Sequence, residues 1–362
     1  MTSPLRIGAA ALAAGVVLAA GLLSIPPSPS LQSHSSGDAA LAASVEHAVH
    51  DAGSLDRVSV ARVTAEGDIV TAGFGADDDT EYEIGSVTKT FTGNLLQIAI
   101  ERGEVTIDET LDAFFPRLAD TPAGGVTLAS LANHTSGLPG LPLELQASAL
   151  ADAILNRNPY RTSVHELIAQ TAPQQVSDPG RYVYSNLGMS LLGHALAERA
   201  GTTYERLVEE RIFVPLGMTH TRIVLENGDL DASDAGAPTT GYSPTGIPQE
   251  PWSIAAYAPA GGIRSTLADM TLYVRALLDG TAPGAGAMDR NLDGDGGAEG
   301  YAWLILDQED GSTLTLHNGQ TGGFASFLVL DREAGVGSIV LSNTAVQLPD
   351  VAVDLITEGI DR

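Results

Sequence analysis

Cysteine is absent from the 362 residues, which excludes disulfides, a thiol nucleophile, iron–sulfur clusters and cysteine-held zinc. Lysine is nearly absent: Lys89 is the single one, and every other cation among the 18 basic residues is arginine. Against 45 acidic residues they leave a net charge of −27. Such a chain is a poor partner for nucleic acid or an anionic membrane, and its acidic surface suits solubility outside the cell. Aromatic residues make up only 5%, yet the 44% apolar fraction suffices for a sizeable core. No internal repeat of solenoid length is present.

The one lysine is therefore informative. Arginine stays protonated at any accessible pH, whereas a buried lysine can be tuned to accept a proton. The run Ile84-Gly85-Ser86-Val87-Thr88-Lys89 sets a hydroxyl and the amine at i and i+3, on one face of a helical turn. That is a nucleophile with a base beside it.

The amino-terminal segment reads as an export signal. Arg6 is its only charge, Ile7 to Ile25 is uncharged and mostly apolar, and Asp38 is the first acid. A cleaved secretory signal is expected, with a retained membrane anchor as the alternative, followed by a Pro/Ser linker over 26–36 that has no packable face. Residues 39–50 show helical spacing, and 57–63 and 69–74 alternate as a hairpin. Helices are expected over 86–102, 163–171, 186–200, 203–213 and 265–278. Strands follow over 301–308, 313–317, 325–331 and 337–342, then a last helix over 350–359. Strands at both ends with helices between predict one α/β domain over 37–362. Its antiparallel sheet, flanked by helices, is built from both chain ends (about 37–115 and 250–362). A mostly helical part covers about 116–249, with the site between the two.

Alone, Ser-x-x-Lys is a weak signal. Two clusters follow it in order: Tyr184-Ser185-Asn186, then His317-Asn318-Gly319 continuing as Gln320-Thr321-Gly322-Gly323. The chain also carries Leu131-Ala132-Asn133-His134-Thr135-Ser136-Gly137-Leu138, Pro215-Leu216-Gly217-Met218 and Gly261-Gly262-Ile263-Arg264-Ser265-Thr266. With these it resembles the serine β-lactamase and penicillin-binding superfamily, in its class C-like branch. His317-Asn318-Gly319 stands where class C enzymes have Lys-Thr-Gly, a departure similar to secreted D-Ala-D-Ala carboxypeptidases.

The resemblance implies an acyl-enzyme on Ser86, with no cofactor and no metal. It implies that Lys89, neutral or sharing a proton with Tyr184, takes the hydroxyl proton. Tyr184 would pass that proton to the leaving group and later activate water. An ordinary phenol has a pKa of about 10, so this role requires cations close by. Asn186 would orient Lys89 and the substrate amide, and it could also cap the helix that follows. His317 would hold a substrate carboxylate when protonated, or hydrogen-bond Tyr184. The backbone N–H groups of Ser86 and Gln320 would form an oxyanion hole, with Gly319 at the substrate edge.

The activity so implied is that of an exported serine hydrolase acting on a small molecule or peptide, foremost a D-Ala-D-Ala-type wall peptide, with β-lactams as mimics. Alternatives are an esterase, a β-lactamase, or a slowly acylating module that binds wall fragments. The acyl pocket is expected from loops 140–150 and 240–257, with Trp252, Tyr257 and Tyr242 as an aromatic wall. Ser136 beside His134 reads as part of a structural turn, and His47, His50 and His165 as surface residues. The stretch 289–299 reads as an acidic loop, one residue short of calcium-loop spacing.

Overall fold

A computed structural model describes residues 29–226, 239–290 and 300–357. The expected export segment up to residue 28 and the acidic stretch from 291 to 299 lie outside the described residues.

Asp38 starts the first helix, α1 (Ala39–Asp51), by accepting from the amides of Ala40 and Leu41 at 2.9 Å each. Leu41, Ala42, Val45 and Val49 form its buried stripe. The hairpin follows as β2 (Val58–Thr64) and β3 (Ile69–Phe74). After the central helices the chain returns through β7 (Leu304–Asp307), β8 (Thr313–Gln320), β9 (Ala325–Asp331) and β10 (Val336–Ser342). Strand β10 pairs with β2 along its whole length, from Val336↔Thr64 to Ser342↔Val58. The two ends of the chain thus meet in the middle of one antiparallel sheet.

An edge strand, β1 (His34–Gly37), completes it in the order β1-β3-β2-β10-β9-β8-β7. All but its last residue lie in the stretch read as a linker. Its residues lack an apolar face, but hydroxyls do the anchoring: Ser35 and Ser36 donate to Ala76 O at 2.6 and 2.8 Å, and Leu31 packs on the core before them.

Both sheet faces are covered. Val58 and Val60 of β2 face α1 and the last helix, Pro349–Thr357, while Ala61 and Val63 face the larger core on the other side. That larger core surrounds α2 (Thr88–Glu101), a helix buried on nearly every side, whose Phe91 stacks on Tyr273 at 4.0 Å. The helix expected over 203–213 is less regular. It runs as Tyr204–Val208, widens to a π-turn over Glu209–Phe213, and ends in Val214–Leu216, where Pro215 can give no amide to the preceding turn.

A second, three-stranded sheet lies under the site, with β4 (Tyr82–Glu83) and β5 (Arg222–Ile223) on either side of β6 (Ile263–Ser265). Arg264 of β6 is only 1% exposed and is held by Glu83 at 2.5 Å and Glu81 at 3.4 Å. Burial pushes the Glu83 carboxyl up and the Arg264 charge pulls it back, so the pair is stable only as a pair. Glu83 also accepts the Trp252 amide at 2.8 Å, tying this sheet to the wall of the site. Glu83→Gln leaves Arg264 short of a counter-charge. We expect it to cost about 3 kcal/mol, read as a lower urea midpoint at unchanged slope.

Candidate active site

Ser86 sits in a tight helical turn, Gly85–Val87, that leads directly into α2. Gly85 has φ +49°, and a Cβ on it would stand 2.6 Å from Gln320 N, so the turn and the end of β8 approach as closely as backbone allows. On the strand side, a Cβ on Gly319 would collide with Ile84 O. Both glycines are therefore required by the junction that carries the serine.

Lys89, one turn on, is fully buried. Its Nζ lies 2.9 Å from Ser86 Oγ and donates to Ala260 O at 2.6 Å. The short helical turn Ala258–Gly261 that supplies this carbonyl precedes β6. Among the described residues no carboxylate offsets the buried charge, and burial holds the amine well below its ordinary pKa. A neutral amine keeps an N–H for Ala260 O and a lone pair for the serine proton. Tyr184 completes the cluster: its OH donates to Ser86 Oγ at 2.6 Å, and Lys89 Nζ stands 4.8 Å from its ring centroid. The residue is 40% exposed, but its hydroxyl is turned to Ser86, and burial there pushes the phenol up. The tyrosine is thus held protonated, as a donor. Burial makes Lys89 the member of the cluster that is easier to find unprotonated.

Asn186 opens helix Asn186–Ala200, whose cap is Ser185, accepting from the Gly188 amide at 2.9 Å. Asn186 makes no hydrogen bond to Lys89. Its Nδ2 donates to Tyr160 OH at 3.3 Å, and its buried Oδ1 has no protein partner among the described residues. An acceptor left so at a cavity wall suits a substrate N–H or O–H. His317 also departs from both expected roles in the resting site. Its Nδ1 faces Asn318 O at 2.7 Å and so carries the proton, while burial, the largest cause, lowers its pKa to about 4. It is neutral near pH 7 and holds no bond to Tyr184.

Strand β8 runs past its expected end at 317 to Gln320, which puts the whole cluster on the strand. Thr321 N donates to Phe324 O at 3.0 Å, so the antiparallel alternation makes Gly319↔Ser326 the next bonded pair. Gln320 N–H therefore points away from β9, towards an edge that β7 no longer covers, its last pairing being Leu304↔Leu316. Ser86 N–H is an early amide of its helical turn and has no partner within it. The two amides expected for an oxyanion hole are both left available by the geometry.

Between these elements lies a pocket open to solvent, walled by Tyr160, Trp252, Ile254 and Tyr257, with Ser86, Asn186 and Gln320 as its polar points. Of the expected aromatic wall, Trp252 and Tyr257 line it. Tyr242 instead donates its backbone amide to Gly323 O and Asn343 O. The 140–150 stretch is mostly helix, Leu143–Ile154, and borders a separate groove. Ser136 is buried and accepts the Leu138 amide within its turn. His47 and His50 are exposed beside Asp51, and no three-ligand metal cluster occurs among the described residues. Tyr160, on the pocket wall, and Ala260 O, on Lys89 Nζ, are contacts of the site that sequence reasoning missed. A backbone carbonyl leaves no residue-type signal, and Tyr160 lies in an irregular stretch without a motif.

The family model described as beta-lactamase matches residues 43–358. This chain belongs to the beta-lactamase family. It is 28% identical to "Beta-lactamase-like protein 2" of Dictyostelium discoideum over 75% of its own length, spanning about half (51%) of that longer protein. It is 26% identical to the D-alanyl-D-alanine-carboxypeptidase/endopeptidase AmpH of Escherichia coli, over 77% of this chain and 76% of that one. Among solved structures, an octameric penicillin-binding protein homologue from Pyrococcus abyssi matches with a TM-score of 0.73 at 24% identity, over 87% of this chain and 75% of that one. A class C beta-lactamase from Rhodobacter sphaeroides matches with a TM-score of 0.69 at 22% identity, over 87% and 96%. At such identities these structures establish the fold: the beta-lactamase fold, a mixed α/β arrangement with an antiparallel sheet flanked by helices.

The lowered His317 pKa carries a stability consequence. From its ordinary 6.5 down to about 4, the unfolded chain binds a proton that the folded site refuses. Stability is full above the unfolded value and falls as the pH drops towards the folded one, by about 3 kcal/mol. Urea unfolding at stepped pH should show this loss in the wild type and a flatter profile for His317→Asn.

Proposed function

We propose that this chain is an exported serine acyl hydrolase that works through an acyl-enzyme on Ser86. The observation that carries the reading is Ser86 Oγ held between Lys89 Nζ at 2.9 Å and Tyr184 OH at 2.6 Å. In acylation the Ser86 proton passes to Lys89 Nζ as Oγ bonds to the acyl carbon. The oxyanion lies against the amides of Ser86 and Gln320. As the tetrahedral species collapses, Tyr184 gives its proton to the leaving oxygen or nitrogen, and the new Lys89 ammonium stabilises the phenolate left behind. In deacylation that phenolate takes a proton from water, hydroxide attacks the ester, and Lys89 returns its proton to Ser86. The site is then reset.

The cavity lining favours a substrate without a carboxylate beside the scissile bond. Tyr160, Trp252, Ile254 and Tyr257 are apolar or aromatic, and none of the lining residues carries a charge at neutral pH. His317 is held neutral by burial, which also lowers the pKa of Lys89 well below its ordinary value. We therefore favour small uncharged esters. The second reading is a D-Ala-D-Ala carboxypeptidase. It is supported by the carboxypeptidase/endopeptidase relative. Export rests on the single charge and apolar run of residues 6–25, and fractionation of cells carrying the full chain checks it.

Turnover of a short p-nitrophenyl ester, a D-Ala-D-Ala peptide and a penicillin by the full chain separates these readings. We expect ester hydrolysis to dominate and Ser86→Ala to abolish it. Peptide turnover above ester turnover would favour the carboxypeptidase. Lys89→Arg should lower acylation by on the order of a thousandfold with an unchanged circular dichroism spectrum, since guanidinium cannot take the serine proton.

A further inference from the structure

One residue outside the expected catalytic set grips the tyrosine from both sides. His134 O accepts the amide of Val183 at 2.8 Å, and His134 Nδ1 accepts the amide of Ser185 at 3.2 Å. The residue between those two amides is Tyr184. The imidazole also lies against the phenol ring, with centroids 4.6 Å apart, and edge-on to Tyr182 at 5.7 Å. His134 itself has φ +61°, a left-handed conformation that few side chains adopt. The rest of its loop reinforces the grip, as Thr135 O accepts from Gly180 N at 2.8 Å and Gly137 O from Ser177 N at 2.9 Å.

We propose that His134 is the positioning residue for Tyr184: as a neutral imidazole with an unprotonated Nδ1, it fixes the 183–185 backbone so that the phenol reaches Ser86 Oγ. This rests on the reading of Tyr184 as proton donor to the leaving group. Accepting from the Ser185 amide requires a lone pair on Nδ1, so the single proton sits on Nε2. Burial keeps a second proton off the ring. The loop that looked like a passive structural turn thereby sets the orientation of the acid. It does so without touching the substrate.

The inference separates two substitutions. Asparagine tolerates a left-handed φ and offers an oxygen near the place of Nδ1, whereas leucine fills the space with no acceptor. It also separates two substrates, because p-nitrophenolate leaves without a proton and an alkoxide does not. For His134→Leu we expect hydrolysis of an ethyl ester to fall by on the order of a hundredfold and that of the p-nitrophenyl ester of the same acid by less than about tenfold. His134→Asn should restore most of the loss. Equal losses on both esters at unchanged thermal stability, or no rescue by asparagine, would overturn the proposal.

If the wild-type protein hydrolyses neither ester, the reading of the site as an acyl hydrolase fails, yet the positioning claim can still be judged. With 13C-labelled tyrosine, the Tyr184 Cζ resonance, assigned by Tyr184→Phe, should move in His134→Leu and return in His134→Asn. An unmoved resonance in the leucine variant refutes the positioning role whatever the chemistry.

Discussion

An amine buried without a carboxylate is the constraint on which this structure turns. Among the described residues Lys89 touches a carbonyl, a hydroxyl and an aromatic ring, so burial favours the uncharged state of its nitrogen. That choice propagates outward. A neutral amine makes Ser86 the donor to Lys89. It also lets Tyr184 remain a protonated phenol, because no resting cation draws its proton away. His317, close enough to feel any charge on Lys89, is held neutral by the same dry surroundings.

The fold's main task is to hold three chain segments against one serine oxygen. Helix α2 brings Ser86 and Lys89 from the core, the segment before helix Asn186–Ala200 brings Tyr184, and the exposed end of β8 brings Gln320. The close approach of Gly85 to Gln320 sets the distance between the first and third. The turn Ala258–Gly261 fixes the amine, and the Glu83–Arg264 pair beneath it anchors Trp252 in the cavity wall.

Much of this was legible in the residues. Lys89 stood out because arginine had replaced lysine everywhere else, and the i, i+3 spacing gave its partner without any structure. The hairpin of β2 and β3 and the helix Asn186–Ala200 followed from alternation and helical spacing. What stayed hidden has physical reasons. Strand β1 is polar and held by hydroxyls, so hydrophobic pattern could not mark it. Ala260 acts through its carbonyl, which every residue has. Asn186 was expected at Lys89 because its motif resembles one where that holds, but here its amide group turns to Tyr160. His134 was read with Ser136 as part of a structural turn. Its partners instead lie across the loop, at Val183 and Ser185.

The protonation state of Lys89 tests the account most directly, and the composition makes it accessible. Lysine labelled with 13C and 15N gives a single side-chain signal set in this chain. The account predicts a Cε and Nζ pair at free-amine shifts near neutral pH, titrating well below the ordinary 10.5. An ammonium signal that persists until that ordinary value would contradict it, and would leave Ser86 without its base.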